Sequence, residues 1–231
     1  MIEVIQLSKS YSGTKVLDIE HLTIQKGESF GLVGNNGAGK TTFFRLILDL
    51  IKADTGKLLS KEVNVKESSE WKYYTGSHLD DGFLIDFLTP EEYFEFLSGV
   101  HKLSKGDLEE FYTNFNDFFN GEILNKKKYI RDFSSGNKQK IGIAAALMSK
   151  PEIVILDEPF NSLDPTTQIR LKNLLNKLKE EQQLTLLISS HDLNHITEVC
   201  HRIVILEKGK IVQDKPTNEN TLKELTEYFA V

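Results

Sequence analysis

Apolar and polar positions along the chain alternate between strand-like runs and helix-like stripes. The runs predict strands over residues 2–7, 15–24, 28–33, 57–60, 70–75, 153–156, 184–188, 203–206 and 210–213, the last two as a hairpin turned at Lys208-Gly209. Helical spacing predicts helices over residues 41–51, 165–181 and 192–200, and a helical block from 83 to about 149. Because strands alternate with helices on both sides of that block, we predict an α/β fold with a mainly parallel sheet.

Composition narrows the picture only slightly. The 231 residues suffice for one large domain, and a formal net charge of −6 argues against broad nucleic-acid binding. Cys200 is the single cysteine, and it lies near His195 and His201 without a visible set of four ligands, so we expect a buried thiol at a helix end. No signal-peptide pattern and no apolar run of ~18–20 residues is present, so a role at a membrane would need another subunit.

A glycine-rich segment lies between predicted strand 28–33 and predicted helix 41–51. Its residues are Gly34-Asn35-Asn36-Gly37-Ala38-Gly39-Lys40-Thr41, which match the phosphate-binding P-loop pattern G-x-x-x-x-G-K-[ST]. Glycines let the backbone wrap closely around phosphates, and the helix N-terminus adds partial positive charge there. We expect Lys40 to reach the β- and γ-phosphates of a nucleotide and the Thr41 hydroxyl to ligate Mg²⁺. Since the flanking strand and helix are those that the motif requires, a chance match is a weak alternative.

Two carboxylates follow the apolar strand at 153–156. Asp157 and Glu158 stand at its carboxyl end, where open α/β sheets bind ligands. We expect Asp157 to hold Mg²⁺ opposite Thr41, and Glu158 to polarise an attacking water. An acidic turn after a strand is common by itself, and the upstream P-loop is what favours the catalytic interpretation.

Four segments resemble motifs of the ATP-binding cassette (ABC) ATPases, and their order along the chain is that of the family. They are Tyr11 ahead of Val16-Leu17, Phe133-Ser134-Ser135-Gly136-Asn137-Lys138-Gln139-Lys140, Asp157-Glu158-Pro159-Phe160-Asn161-Ser162-Leu163-Asp164-Pro165, and Ser189-Ser190-His191-Asp192. They are similar to the adenine-stacking aromatic, the signature motif L-S-G-G-Q, the segment from the magnesium-binding strand to the D-loop, and the switch histidine. The resemblance covers essentially the whole chain.

The resemblance implies a P-loop NTPase core, an N-terminal antiparallel β subdomain and an inserted helical lobe. One ABC ATPase domain would span residues 1–231, with the α/β core at 1–82 and 150–231 and the helical signature lobe at 83–149. That lobe is rich in aromatic residues, among them Phe83, Phe87, Tyr93, Phe94, Phe96, Phe111, Tyr112, Phe115, Phe118 and Phe119. We expect most of them to be core, with some near Phe83–Phe87 lining a groove for a helix of a membrane subunit.

The resemblance also implies a role for each matched residue. The nucleotide would contact Tyr11, Asn35, Asn36, Gly37, Ala38, Gly39, Lys40, Thr41 and Thr42. The signature residues Ser134, Ser135, Gly136 and Asn137 would contact the γ-phosphate of ATP held by the other subunit of a dimer. Glu158 would be catalytic, His191 would sense the γ-phosphate, and Asp164 would make contact across the dimer. Plainer interpretations stay open for three residues: a loop tyrosine for Tyr11, and ordinary helix N-caps for Ser134 and Asp164.

The chain departs from the family pattern in two places. Phe133, Ser135 and Asn137 replace the usual leucine, glycine and glutamine of the signature, and the added Cβ of Ser135 is expected to restrict the backbone there. We therefore expect a functional but weaker signature. The Q-loop glutamine is missing from residues 76–82, where spacing favours Asp80 as a further magnesium candidate and His78 is its rival.

The implied function is the ATPase subunit of an ABC transporter, with ATP and Mg²⁺ as cofactors. Its implied partners are a second ABC subunit, identical or different, and separate transmembrane permease subunits, with no nucleic acid expected. Thr89-Pro90-Glu91-Glu92-Tyr93 and the short segment after the final hairpin are most like stand-alone export-type subunits. Such a subunit would be cytoplasmic, peripheral to the inner face of the cell membrane.

A soluble ABC ATPase acting on a nucleic-acid or ribosomal partner is the alternative. DNA-repair members insert a long coiled coil between P-loop and signature, whereas the distance from Lys40 to Ser134 leaves room for one compact lobe. Ribosome-acting members usually carry two cassettes, and one P-loop is present here. A P-loop GTPase or small-molecule kinase finds no support, because no N-K-x-D guanine motif is present and the signature would stay unexplained.

Overall fold

The computed structural model describes residues 1–230, which are organised around two sheets. The first sheet contains β1 (Ile2–Tyr11), β2 (Thr14–Ile24), β4 (Thr55–Ser60) and β5 (Val63–Asn64), antiparallel in the order β2-β1-β4-β5. The second contains β3 (Ser29–Val33), β6 (Thr75–His78), β7 (Ile153–Asp157), β8 (Thr185–Ser190), β9 (Arg202–Glu207) and β10 (Lys210–Pro216). Its order is β10-β9-β3-β8-β7-β6, with β10 antiparallel at one edge and all other neighbours parallel. The predicted α/β class is confirmed.

Seven helices connect and cover these sheets within residues 1–230. They are α1 (Lys40–Ile47), α2 (Pro90–His101), α3 (Lys105–Phe119), α4 (Ser135–Leu147), α5 (Pro165–Gln182), α6 (Leu193–Val199) and α7 (Thr221–Phe229). Local sequence fixes several of their starts. Capping boxes begin α2 and α3, where Thr89 pairs with Glu92 and Ser104 with Asp107, so the first N–H groups of each helix find side-chain acceptors.

Strand β7 separates two hydrophobic clusters. All five of its residues are buried, which explains its continuous apolar run. Ile153 and Ile155 face α1 and the antiparallel sheet, while Val154 and Leu156 face the cluster formed with the helical lobe. Helix α1 is therefore held between the two sheets, with its N-terminus at the carboxyl edge of the parallel strands. This arrangement positions the candidate site.

Two predicted elements are wrong in detail. The predicted strand at 70–75 is instead a 3₁₀ helix over Glu70–Tyr73, followed by β6. The reason is Trp71, which is buried and donates its indole N–H to the Val65 carbonyl at 3.1 Å, a contact that an extended chain would not make. Helix α1 ends at Ile47 rather than at residue 51, because Asp49 adopts a left-handed φ of 47°. The Asp49 and Leu50 amides then bond back to Leu46 and Arg45, as in a Schellman motif.

Other expectations hold. Lys208 and Gly209 both have positive φ, 46° and 79°, which is the type I′ turn expected between β9 and β10. The lobe aromatics are mostly core, and the buried ones are Tyr93, Phe94, Phe111, Phe115, Phe118, Phe119 and Phe133. Cys200 is buried at the end of α6, and burial raises the pKa of its thiol to about 12. Such a thiol stays protonated and inert at neutral pH.

Candidate functional site

The P-loop joins β3 to α1 in the context that its motif predicts. Gly37 and Gly39 take φ values of 82° and 110°, which L-residues with a side chain rarely adopt. Gly39 directly precedes α1, and an added Cβ on it would lie 2.8 Å from the Val16 carbonyl of β2. Asn35, Asn36 and Gly37 are exposed, whereas Ala38 is buried. The loop therefore wraps against β2 on one side and opens to solvent on the other.

Lys40 lies inside this loop rather than on the surface. Its side chain is 6% exposed, and its ammonium donates to the Gly34 carbonyl at 2.6 Å. The same ammonium lies 3.3 Å from Glu158 Oε1 at the end of β7. A buried ammonium with one carboxylate partner is prepared to meet further negative charge at the mouth of the loop.

Asp157 and Thr41 meet across the gap between β7 and α1. The Thr41 hydroxyl donates to Asp157 Oδ2 at 2.5 Å, and the Ser189 hydroxyl of β8 donates to Asp157 Oδ1. Burial raises the pKa of the Asp157 carboxyl, against the lowering effect of these two hydrogen bonds. Hydroxyl and carboxylate oxygens are the kind of ligand that Mg²⁺ prefers. Thr41 and Asp157 are therefore the residues that could hold a magnesium ion here.

Glu158 is the most constrained residue of the site. Its φ is 49°, and its N–H is shared between the Ser189 carbonyl at 3.2 Å and the Ser189 hydroxyl at 2.9 Å. Its carboxylate accepts from His191 twice, from Nδ1 at 2.9 Å and from the backbone N–H at 3.2 Å. The His191 side chain is 54% exposed. Lys40, Glu158 and His191 therefore form one connected row of charged and polar groups beside the P-loop.

The signature segment begins α4. Ser134 is its N-cap, and its hydroxyl accepts from the Asn137 N–H at 3.3 Å. Ser135 is the first helical residue, with ordinary helical backbone, so its Cβ does not impose the restriction that we expected from its replacing a glycine. A Cβ on Gly136 would lie 2.5 Å from the Ser162 carbonyl, which explains why glycine is kept there. Ser134 and Ser135 are exposed to solvent.

Asp164 and Tyr11 occupy surface positions. Asp164 is the N-cap of α5: the Thr167 hydroxyl and N–H donate to its carboxylate at 2.6 and 3.1 Å, and these bonds lower its pKa. The plainer interpretation of Asp164 is thus shown, and a contact across a dimer is compatible with it. Tyr11 ends β1, is 45% exposed, and has the Lys9 ammonium 5.4 Å from its ring centroid.

The two Q-loop candidates differ sharply in their surroundings. Asp80 caps a 3₁₀ turn by accepting from the Gly82 N–H at 2.8 Å, and its other oxygen lies 3.4 Å from Arg45 Nη2. Its carboxylate is therefore directed along α1 and engaged. His78 is 4% exposed at the end of β6 and lies 3.0 Å from Gln139 Oε1, so it is a packed residue rather than a surface ligand.

Sequence reasoning missed three residues that shape the site. Ser189 touches both Asp157 and Glu158, Gln139 donates to the Glu158 carbonyl at 3.3 Å, and the Gly209 N–H donates to the Ala38 carbonyl of the P-loop at 2.9 Å. Ser189 and Gln139 lie inside the motifs quoted above, but their partners are remote in sequence. The sequence around the Lys208-Gly209 turn gives no signal that the turn will hydrogen-bond to the P-loop.

Comparison with known proteins agrees with this geometry. The profile of the ABC transporter family matches residues 17–161. Over 221 residues the chain is 34% identical to the bacitracin transport ATP-binding protein BcrA of Enterococcus faecalis, covering 95% of this chain and 70% of the relative. It is 32% identical over 222 residues to an uncharacterized ABC transporter ATP-binding protein of Synechocystis, covering 92% of this chain but only 62% of that relative's length.

A solved structure of the ATP-binding subunit of an ABC transporter superposes with a TM-score of 0.84 at 27% identity, covering 100% of this chain and 93% of that one. Within residues 1–230, no helix combines the length and the apolar character that crossing a bilayer requires. The profile match, the two relatives and the shared fold agree with each other and with the motifs in the site. The chain therefore belongs to the ABC transporter family and is similar to its ATP-binding subunits.

Proposed function

We propose that this ATPase works as a dimer that closes around ATP, with each triphosphate between the P-loop of one chain and the signature helix of the other. The observation that carries this is the asymmetry of the site within one chain. Lys40, Asp157, Glu158 and His191 converge at the P-loop, whereas Ser134 lies exposed at the N-terminus of α4. That N-terminus offers N–H groups and partial positive charge to a phosphate brought by another chain.

The chemistry follows from the contacts at the P-loop. The γ-phosphate competes with Glu158 for the Lys40 ammonium, which lies 3.3 Å from Oε1. Once Lys40 has turned to the phosphate, the Glu158 carboxylate can accept a proton from the attacking water. His191, held 2.9 Å from Oε2, stays in position to donate to the γ-phosphate and to respond to its loss. Tyr11 offers its exposed ring to the adenine.

Mg²⁺ fits the pair of oxygen donors on Thr41 and Asp157, which lie 2.5 Å apart. When bound, the ion neutralises charge on the β- and γ-phosphate oxygens. Asp157 is buried, and a cation beside it would offset the cost of holding its negative charge away from water. Asp80 is not included in this set, because its carboxylate is exposed and lies against Gly82 and Arg45, whereas Asp157 is hydrogen-bonded to Thr41.

Dimerisation and hydrolysis would drive transport by separate membrane subunits at the cytoplasmic face. The support is a set of exposed apolar residues in and beside α2, namely Phe83, Phe87, Phe96 and Val100, with exposures of 54, 63, 51 and 60%. Large exposed aromatics of this kind mark a protein contact, and a helix from a permease is the expected occupant. We propose export as the direction of transport, on the likeness of residues 89–93 to export-type subunits. The net charge of −6 disfavours a nucleic-acid partner.

The shared site is tested by mixing two inactive variants, Lys40→Ala and Ser134→Arg. In a mixed dimer the intact P-loop of the second faces the intact signature of the first and rebuilds one site. We expect the mixture to regain part of the ATPase rate while each variant alone stays near background. No recovery, in a mixture whose mixed dimers are shown by ATP-dependent cross-linking, would contradict a shared site.

The transport role is tested separately by co-purification from detergent-solubilised membranes. We expect the wild-type chain to bring down hydrophobic subunits and a Phe83→Ser, Phe87→Ser variant to lose them while keeping nucleotide binding. Recovery of a soluble complex instead would favour the alternative of an ABC ATPase with a nucleic-acid or ribosomal partner. With membrane subunits in hand, ATP-driven uptake into inside-out vesicles distinguishes export from import.

A further inference from the structure

The backbone of Glu158 is held from both sides by groups outside its own segment. Its N–H is fixed by Ser189, and its carbonyl accepts from the Asn161 N–H at 3.1 Å and from Gln139 Nε2 at 3.3 Å. A non-glycine residue at a φ of 49° persists where its surroundings hold it there. Asn161 belongs to the same turn as Glu158, so Gln139 of α4 is the tie that joins this carbonyl to another element.

Gln139 is in turn oriented by His78. Its Oε1 lies 3.0 Å from His78 Nε2. Because the Gln139 amide nitrogen donates to the Glu158 carbonyl, its oxygen must face His78, and His78 Nε2 must carry the hydrogen. The two side chains therefore form a directed chain from the end of β6, through α4, to the carbonyl of Glu158.

The fold leaves the His78 ring little room to turn away. His78 is 4% exposed, and an added Cβ on Gly142, one turn after Gln139 in α4, would lie 2.2 Å from the ring. Glycine at 142 is what allows the imidazole to lie flat against α4 at the level of Gln139. A buried ring, a glycine that accommodates it and an amide with one satisfied orientation together define a fixed arrangement.

We propose that His78 and Gln139 are positioning residues for hydrolysis, which hold the Glu158 backbone so that its carboxylate faces the attacking water. This rests on the proposed catalytic role of Glu158. Within residues 1–230, no hydrogen bond joins either side chain to the residues expected to hold ATP in the same chain. Their loss should therefore lower kcat and leave the KM for ATP nearly unchanged. Since Asn161 still holds the carbonyl, we expect a loss of roughly 3–10-fold in kcat rather than the ~100-fold of a fully misplaced group.

The test is a double-mutant cycle on kcat, measured with the purified full-length chain under dimerising conditions. The variants are His78→Phe, Gln139→Met and the double variant. If the residues act as one chain, each single variant loses about the same factor and the double variant loses no more. His78→Gln should recover part of the rate, because its amide can again donate to Gln139 Oε1. His101→Phe is the matched control: within residues 1–230 no hydrogen bond joins that ring to α4.

The outcomes separate the possibilities. Losses that multiply in the double variant, or single variants within twofold of wild type, overturn the proposal. If Glu158→Gln is inactive while those variants are normal, the positioning role alone is wrong. If Glu158→Gln is itself active, the proposed role of Glu158 fails first. Nucleotide binding and the unfolding midpoint identify a variant that misfolds. If one of His78→Phe and Gln139→Met misfolds, the kcat values of the other one and of His78→Gln test the proposal.

Discussion

The P-loop region and the signature region of this chain differ in how much of their chemistry is completed within one molecule. At the P-loop, side chains from α1, β7, β8 and the loop after β8 contact one another, and Lys40 forms an ion pair with Glu158. At the start of α4, the Ser134 hydroxyl serves its own helix and its neighbour Ser135 faces solvent. Both regions present a helix N-terminus, but several other elements contact the first, whereas the second is exposed to solvent.

That difference shows that a helix N-terminus alone does not make a site. Around α1 the parallel sheet supplies a second and a third strand end, which bring Asp157 and Ser189 together next to Thr41. Around α4 the nearest backbone is Ser162 of the segment between Glu158 and Asp164. We propose that the signature end acts on a ligand carried by another chain, and substitutions at five positions test this contrast.

The largest effect is expected from Glu158→Gln. It keeps the shape of the side chain but removes the base, so hydrolysis should fall by ~10²–10⁴-fold while ATP binding persists. An ATP-bound dimer should accumulate, which size-exclusion chromatography with ATP would detect. Glu219→Gln removes the same charge at an exposed glutamate between β10 and α7, and is the control for the loss of one negative charge. Full turnover by Glu158→Gln would remove this residue from the catalytic role.

Lys40→Ala should act on binding instead. Removing a charge-assisted contact to phosphate costs roughly 1.5–3 kcal/mol, which corresponds to about 10–150-fold in nucleotide affinity. Titration with a fluorescent ATP analogue measures this directly on the isolated chain. Lys223→Ala, whose ammonium is exposed in α7, is the matched control. Unchanged affinity would mean that the Lys40 ammonium stays with Gly34 and Glu158 when nucleotide binds.

Ser134 separates the helix cap from the phosphate contact. Ser134→Asp keeps a good N-cap for α4 but places a negative charge where the partner's γ-phosphate should lie. We expect the isolated chain to bind nucleotide normally and to unfold at the wild-type midpoint, while the ATPase rate falls by roughly tenfold or more. Ser134→Ala should lose ~1 kcal/mol of stability instead. A normal rate for Ser134→Asp would leave Ser134 as a helix cap alone.

Tyr11 should have a smaller effect on the P-loop side. Loss of base–aromatic stacking costs ~1–3 kcal/mol. Because the Tyr11 ring is 45% exposed, we expect the low end of that range, so Tyr11→Ala should raise the KM for ATP about fivefold with kcat nearly unchanged. Tyr11→Phe should behave like wild type, because the ring is kept. A stacking contact reads little of the base edge, so GTP should compete with ATP within a modest factor. An unchanged KM would mean that Tyr11 does not stack on the adenine and is an ordinary surface tyrosine.

Local motifs were the part of this molecule that could be predicted. The P-loop, the acidic end of β7 and the turn at Lys208-Gly209 are each specified by adjacent residues, and the structure has them where expected. The strand predicted at 70–75 is wrong because the aromatic spacing there is compatible with both a strand and a 3₁₀ helix. The hydrogen bond from Trp71 to the Val65 carbonyl favours the helix, and the sequence gives no local signal of that bond.

The supporting contacts could not be predicted for a related reason. Ser189 reaches Asp157 only because β7 and β8 are paired in parallel register, and Gln139 reaches Glu158 only because α4 packs beside that edge. The absence of the Q-loop glutamine could be recognised in the sequence. That His78 rather than Asp80 is buried could not, because it depends on packing of the His78 ring against Gly142. The sequence therefore identified the candidate reactive residues. The residues that contact and orient them, such as Ser189 and Gln139, could be identified only from the structure.

The smallest expected effect concerns His78, which joins the two regions by packing β6 against α4. Burial lowers the pKa of its imidazole, outweighing the opposite influence of Gln139 and of the carboxylates of Asp81, Asp80 and Asp157. As pH falls through about 6.5, the unfolded chain takes up a proton that the folded chain resists. Stability from this group is therefore complete above that pH and is lost below it, toward the lowered folded pKa.

His78→Gln removes this titration and keeps a hydrogen-bond donor. The free energy of unfolding, from urea titrations between pH 7.5 and 5.5, should fall more steeply for wild type than for His78→Gln. The difference in slope cannot exceed about 1.4 kcal/mol per pH unit, the limit for one proton. Identical slopes would mean that the ring takes up a proton in the folded state as readily as in the unfolded chain. The contact between β6 and the signature helix would then tolerate charge, and the firm connection between the two regions would have to lie elsewhere along α4.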